Sequence, residues 1–182
     1  RQFETKSLKG FGASELADGI IAAGSALHYL NETQHYQREH ILGIRRIEEE
    51  KYVWMDRFTI RNLELFHSPT DDAVTLINIL DDTKSAMGSR LLRRWLALPL
   101  KDEKEISRRH QIVEELMGNN KISETLTNQI AIIGDLERLI SKVATCRINP
   151  RECIRLKDAL TALVPIKKVR QESSLIPLKD VA

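Results

Sequence analysis

A chain of 182 residues has the length of one domain, or of one domain with an appendage. It is 42% hydrophobic and 30% charged, which reads as a soluble globular chain with enough apolar material for a core. A net charge of +2 excludes the strongly basic domain whose charge alone would argue for nucleic acid. Two cysteines, Cys146 and Cys153, make no disulfide framework and fit a reducing cytoplasm. No apolar run approaches the ~20 residues of a membrane span, and no signal peptide is visible. The chain opens on Arg1 and reads as a trimmed or excised piece of something longer.

The pattern is mainly α. Leu16, Ile20, Ala23, Leu27 and Leu30 fall at helical spacing, with Ser14 placed to cap the start. The stretch "ILGIRRIEEEKYVWMD" changes character. Ile44 and Ile47 are separated from Tyr52, Val53, Trp54 and Met55 by acidic Glu48 to Glu50, which predicts a small β-hairpin over 44–55. A short helix over 58–65, a loop around Pro69 and a helix over 73–80 follow.

In "MGSRLLRRWLALPL", at 100° per residue, Gly88, Leu91, Leu92, Trp95 and Leu96 share one side and Arg90, Arg93, Arg94 and Ala97 the other. Thr83 or Ser85 suits the cap, and Pro99 stops the helix after Leu98. The segregation predicts buried leucines and Trp95 under a solvated arginine face. Next, Ile106, His110, Val113, Leu116 and Met117 form a stripe that ends at Gly118 and Asn119. A helix over 122–133 is broken by Gly134, and Leu136, Leu139, Ile140 and Val143 begin another. The last starts at "NPRE", with Asn149 as cap, Pro150 in the first position and Glu152 where a capping box places its carboxylate. Cys153, Leu156, Leu160 and Leu163 are its expected buried face, and a loop is expected from Lys167.

Chemistry-bearing motifs are sparse. There is no phosphate loop and no G-x-G-x-x-G; "GFG" near Gly10 is an isolated fragment. The two cysteines lie seven apart with no histidine close by, a poor match to zinc-ligand spacing. His28, His35, His40, His67 and His110 are scattered, and His110 beside an apolar stripe reads as a packed side chain. Asp71 and Asp72 read as helix-end charges rather than a general acid and base. No catalytic, cofactor-binding or metal-binding residue is assigned.

Two blocks nevertheless carry a specific pattern, "YVWMDRFTIRNLELF" and "TLINILDDTKSAMGSRLLRRWLALPLKD". They resemble the core domain of the MutS family of DNA mismatch-repair proteins. The matching positions are Asp56, Thr59, Asn62, Leu63, Glu64 and Leu65, then Leu80, Asp81, Thr83, Met87, Gly88, Arg90, Leu92, Trp95, Leu96, Pro99 and Leu100. "DLERLISKVATCRINPRECIRLKDAL" is similar to the family's D-L-E-R segment and following helix start, bringing in Asp135, Glu137 and Arg138. "FGASELADGIIAAGSALHYLNETQ" resembles the helix that joins connector to core.

The resemblance implies a multi-helix core-domain fragment: residues 1–12 the tail of the connector, 13–166 the first part of the core, and 167–182 a loop towards the lever and clamp region. It implies a parent that is a DNA-dependent ATPase, with ATP and magnesium held outside this segment. That parent would act on mismatched double-stranded DNA as a dimer, in the cytoplasm or at the nucleoid. The segment itself would link clamp to ATPase without chemistry of its own. Arg90 and Glu64 are then expected in internal or interdomain polar contacts, and Asn62 on backbone where hairpin meets helices. Two other readings stay open. One is a MutS paralogue working outside mismatch repair. The other is an independent helical DNA-binding module with Arg90, Arg93 and Arg94 on phosphates.

Overall fold

The computed structural model describes residues 16–33, 41, 43, 49–70 and 73–172. The chain divides into two compact units, one formed by residues 1–48 and 140–148, the other by residues 49–139 and 149–182. The described part of the first unit contains helix α1 (Ala17–Glu32). Leu16 stands at its N-cap without a side-chain bond; the expected cap, Ser14, lies outside the described residues. Thr33 closes the helix, its hydroxyl donating to the Tyr29 carbonyl at 2.8 Å.

The second unit begins with a 3-10 turn, Glu49–Lys51, and then α2 (Arg57–Asn62), α3 (Leu76–Leu80), α4 (Ala86–Ala97), α5 (Glu103–Gly118) and α6 (Asn120–Ile133). Helix α7 (Leu136–Ala144) starts in this unit and ends in the other, and α8 (Pro150–Glu172) returns to it. Side-chain caps explain most of the starts. Asp56 Oδ1 accepts the Thr59 N–H at 2.6 Å, and Ser85 Oγ accepts the Gly88 N–H at 3.1 Å. Asp102 takes the Lys104 N–H at 2.9 Å, and Asn119 the Ile122 N–H at 3.2 Å. Each satisfies one of the amides that a helix leaves unpaired at its N-terminus. At α8 the capping box is complete: the Glu152 N–H donates to Asn149 Oδ1 at 2.9 Å, and the Asn149 N–H donates back to Glu152 Oε2 at 3.1 Å. The helix then runs through Pro165 to Glu172, so the loop expected from Lys167 is helical as far as Glu172.

The expected hairpin over 44–55 is not supported. Residues 44–48 lie outside the described residues, and Tyr52 and Val53 pair elsewhere. Tyr52 forms an isolated antiparallel bridge with Leu100. The Val53 N–H donates to the Pro99 carbonyl at 2.7 Å, and the Lys101 N–H to the Lys51 carbonyl at 3.1 Å. The apolar run therefore finds its backbone partner nearly fifty residues on, after α4, where Pro99 supplies an acceptor without needing a donor partner of its own.

The core is thin. Among the described residues Leu65, Ile77, Ile133, Ala159 and Ala162 are the buried hydrophobics. Ile133, Ala159 and Ala162 form one cluster, against which Met87, Leu136 and Ile166 pack. Helix α8 packs mainly on α6, and α6 on α5. The buried face of α8 is thus set by alanines: Cys153 is exposed, and Leu160 and Leu163 are largely exposed, against the expected face of leucines. Small side chains let two helix backbones approach closely, and here that outweighs the larger apolar groups. On α5 the expected stripe holds at Ile106 and Leu116, which are half-buried together with Arg109 and Ile112, whereas His110, Val113 and Met117 are exposed.

Candidate functional site

Two motif segments meet where α4 faces the start of α7. Met87 and Arg90 lie one turn apart on α4 and so share a face. Met87 packs on the Ile133–Ala159–Ala162 cluster, and Arg90 reaches past it to the acidic end of α7. Its Nη1 donates to Asp135 Oδ2 at 2.9 Å and its Nη2 to Asp135 Oδ1 at 2.7 Å; Nη2 also donates to Glu137 Oε2 at 2.7 Å. This is the planar fork-on-fork pairing for which a guanidinium is suited and an ammonium is not.

Asp135 has a second task. Its Oδ1 accepts the Arg138 N–H at 3.3 Å, and its carbonyl accepts the Leu139 N–H at 3.2 Å, so it caps α7. Negative charge at a helix N-terminus is favourable in its own right. Arg90 and the Arg138 amide together hold the Asp135 carboxyl below the ordinary 3.8. In return Asp135, then Glu137, push the Arg90 guanidinium further up. All three side chains keep contact with water: Arg90 is 49% exposed, Asp135 23% and Glu137 70%.

Before α4 lies a second polar knot. Asp81 caps the end of α3. Its carboxylate accepts from the Ser89 hydroxyl and, at 2.6 Å, from the Thr83 hydroxyl. Those two bonds, Ser89 first, draw its carboxyl below the ordinary value. Thr83 is thereby pulled against the first turn of α4. A Cβ on Gly88 would lie 3.3 Å from Thr83 Cβ and 3.3 Å from Ser85 Oγ, which accounts for a glycine at this motif position by close approach.

The N-L-E-L segment works through its backbone. Glu64 has φ 47, in the left-handed region. The turn it makes lets the Glu64 carbonyl accept the Leu76 N–H at 3.1 Å and the Leu65 carbonyl accept the Ile77 N–H at 3.0 Å. These are the otherwise unpaired amides at the start of α3. Leu65 and Ile77 are both buried. Asn62, expected to bind backbone here, is exposed and makes no side-chain hydrogen bond among the described residues.

Trp95 departs from its assigned place in the core. It is 41% exposed, and the Arg109 guanidinium stacks over its ring at 3.8 Å from the centroid, a cation–π contact that a charged neighbour on α5 makes available. Leu91, on the same expected face, is also exposed. Arg93 and Arg94 are exposed; Arg93 adds a favourable charge near Asp81. Of the three arginines proposed for phosphates, Arg90 is therefore committed to carboxylates, while Arg93 and Arg94 face solvent. The unassigned partners that the sequence reading missed are Ser89 and Arg109.

Among the described residues no group of three or more His, Cys, Asp or Glu is placed to hold a metal ion. An open groove between α6 and α8, lined by Gln129, Ile132, Asp158, Thr161, Ala162 and Pro165, brings together no pair of groups suited to acid–base work. No described helix is long and apolar enough to cross a membrane.

The described polar contacts join helix to helix. Residues 58–181 match the family pattern described as MutS domain III. The chain is 56% identical to the DNA mismatch repair protein MutS of Flavobacterium johnsoniae over 95% of its own length and 20% of that protein's. It is 58% identical to that of Christiangramia forsetii, over 98% of the chain and 21% of the relative. For Bacteroides thetaiotaomicron MutS the figures are 51%, 100% and 21%. The chain thus spans about one fifth of the length of the curated relatives it matches. With domain III matched over most of its residues and identities above half across nearly all of them, the chain belongs to the MutS family of DNA mismatch-repair proteins.

Proposed function

We propose that this chain is a mechanical relay within a mismatch-recognition ATPase of DNA mismatch repair. It couples a DNA-gripping clamp to a nucleotide site, both formed by other parts of the parent protein. The parent binds mismatched double-stranded DNA, hydrolyses ATP with magnesium, works as a dimer and resides in the cytoplasm or at the nucleoid. One observation carries the relay reading above all. Arg90, Asp135 and Glu137, all at family-motif positions, spend their charge on each other across two helices. A binding or catalytic site would instead leave such charge converging on open space.

The test uses full-length protein carrying this segment, with Arg90→Gln and Ile133→Ala made separately. Both variants are expected to keep mismatch affinity and DNA-free ATP turnover, and to lose stimulation by mismatched DNA by about five-fold or more, the lower end of ordinary coupling. Full stimulation in both variants refutes the relay. The isolated 182-residue chain is expected to hydrolyse no ATP and to show no preference for mismatched over matched duplex. A mismatch preference would refute this reading, whereas strong, steeply salt-dependent binding of matched and mismatched duplex alike would favour the independent DNA-binding module, with Arg93 and Arg94 as its phosphate contacts.

A further inference from the structure

Three contacts hold the first turn of α7, and they differ in kind. Leu136 packs partly on the Ile133–Ala159–Ala162 cluster. Asp135 caps the helix from within. The third anchor, Arg90, is the one that reaches across from α4, and it is electrostatic, with all its partners in contact with water. Immediately before these anchors the chain turns through Gly134, at φ 61 and ψ −125, a conformation essentially reserved for glycine. A Cβ there would meet nothing within 4 Å, so no neighbouring side chain wedges the turn. Immediately after them, from Ile140, α7 belongs to the other compact unit.

We propose that Arg90, Asp135 and Glu137 form a releasable ionic latch that decides whether α7 is rigidly tied to α4 or free to pivot about Gly134. Closed, the latch adds a charged cross-link one helical turn from the Met87 contact, and α4 and α7 move as one piece. Open, α7 keeps its Leu136 contact but loses the cross-brace, and the Asp135 cap, no longer held by Arg90, lets the hydrogen bonds of α7 open more often as it pivots. Release needs only a competitor for exposed charge, whether salt or an anionic group brought close to Arg90. The purpose assigned to the latch rests on the relay reading, but its existence does not, and the two fail separately: full-length turnover tests the relay, and the following test concerns α7 alone.

Hydrogen exchange is followed residue by residue in the 182-residue chain at about 0.1 M and about 1 M sodium chloride, between which the Debye length falls from about 10 to about 3 Å. With the latch closed, amides 139–144 are expected to exchange about five-fold slower in the wild type than in Arg90→Gln at the lower salt, the upper range for an exposed ion pair. The higher salt should remove that difference. Arg90→Lys, which keeps the charge and loses the fork, should fall between them. Glu137→Gln, at the exposed outer arm, should give a smaller acceleration and does not endanger the fold. Unchanged exchange of 139–144 in both Arg90→Gln and Glu137→Gln overturns the latch. Equal acceleration throughout α6 and α8 also overturns it, because Arg90 would then be a general support of the fold.

Discussion

Ile133 is the sharpest point at which to test the packing. It is 6% exposed and closes the α6 side of the cluster formed with Ala159 and Ala162. Ile133→Ala removes three carbons, worth about 2.4 kcal/mol at about 0.8 kcal/mol per buried carbon. The cavity contribution should be small here. Met87, Leu136 and Ile166 at the margin are only partly buried and can slump into the space, so a total of about 2.5–3 kcal/mol is expected, near the low end for such truncations. The neighbouring Ile132 is 54% exposed and serves as an internal control, with an expected loss below about 1 kcal/mol for Ile132→Ala. Urea unfolding followed by far-ultraviolet circular dichroism measures both. Equal losses, or a larger loss at Ile132, would mean that α6 presents a different face to α8 and that the alanine-lined contact is wrongly placed.

Trp95→Ala should cost about 1–2 kcal/mol, below the 3–5 kcal/mol of a core tryptophan, because the ring is partly solvated and its stacking on Arg109 is an exposed cation–π contact; the same urea titration checks it. Gly134→Ala should destabilise by about 1–3 kcal/mol through backbone strain alone, since the added methyl group has open space; a smaller loss in a melting experiment would mean that the α6–α7 turn relaxes. Asp56, Asp81 and Asp135 all titrate below the ordinary 3.8 in the folded chain. Their contribution is therefore complete above that value and is lost as the pH falls through the lower folded values. Carboxyl-carbon NMR titration should show all three midpoints depressed, and Arg90→Gln should return the Asp135 midpoint towards 3.8 while leaving Asp56 and Asp81 where they are.

Local chemistry was legible where the interacting groups are neighbours in sequence. The Asn149–Glu152 box, the break at Gly134 and the stop at Pro99 each depend on residues within one helical turn, and each is legible in the sequence. Distant partners were not legible in the same way. Periodicity put Arg90 on a face but could not name Asp135, 45 residues on; the family motif marked both positions without showing that they touch. The hairpin reading failed for the same reason, since it sought a partner for Tyr52 and Val53 nearby and the structure supplies Leu100 and Pro99. At α8 and α4 the error was one of weighting. A hydrophobic stripe counts Leu160 and Leu163 above Ala159 and Ala162, whereas close contact at α8 selects the small residues and leaves the large ones outside; on α4 it counts Trp95 as core, although the ring stays part-exposed under Arg109. The polar knots belong to both classes. Ser85 and Asp56 cap within their own turn and were readable as caps or motif positions, but Ser89 on Asp81 and Arg109 on Trp95 each join separate elements. The parts of this chain that hold one helix to another are thus the parts a local reading cannot pair. They are also the parts on which a relay depends, because force passes between helices only through contacts that neither helix contains alone.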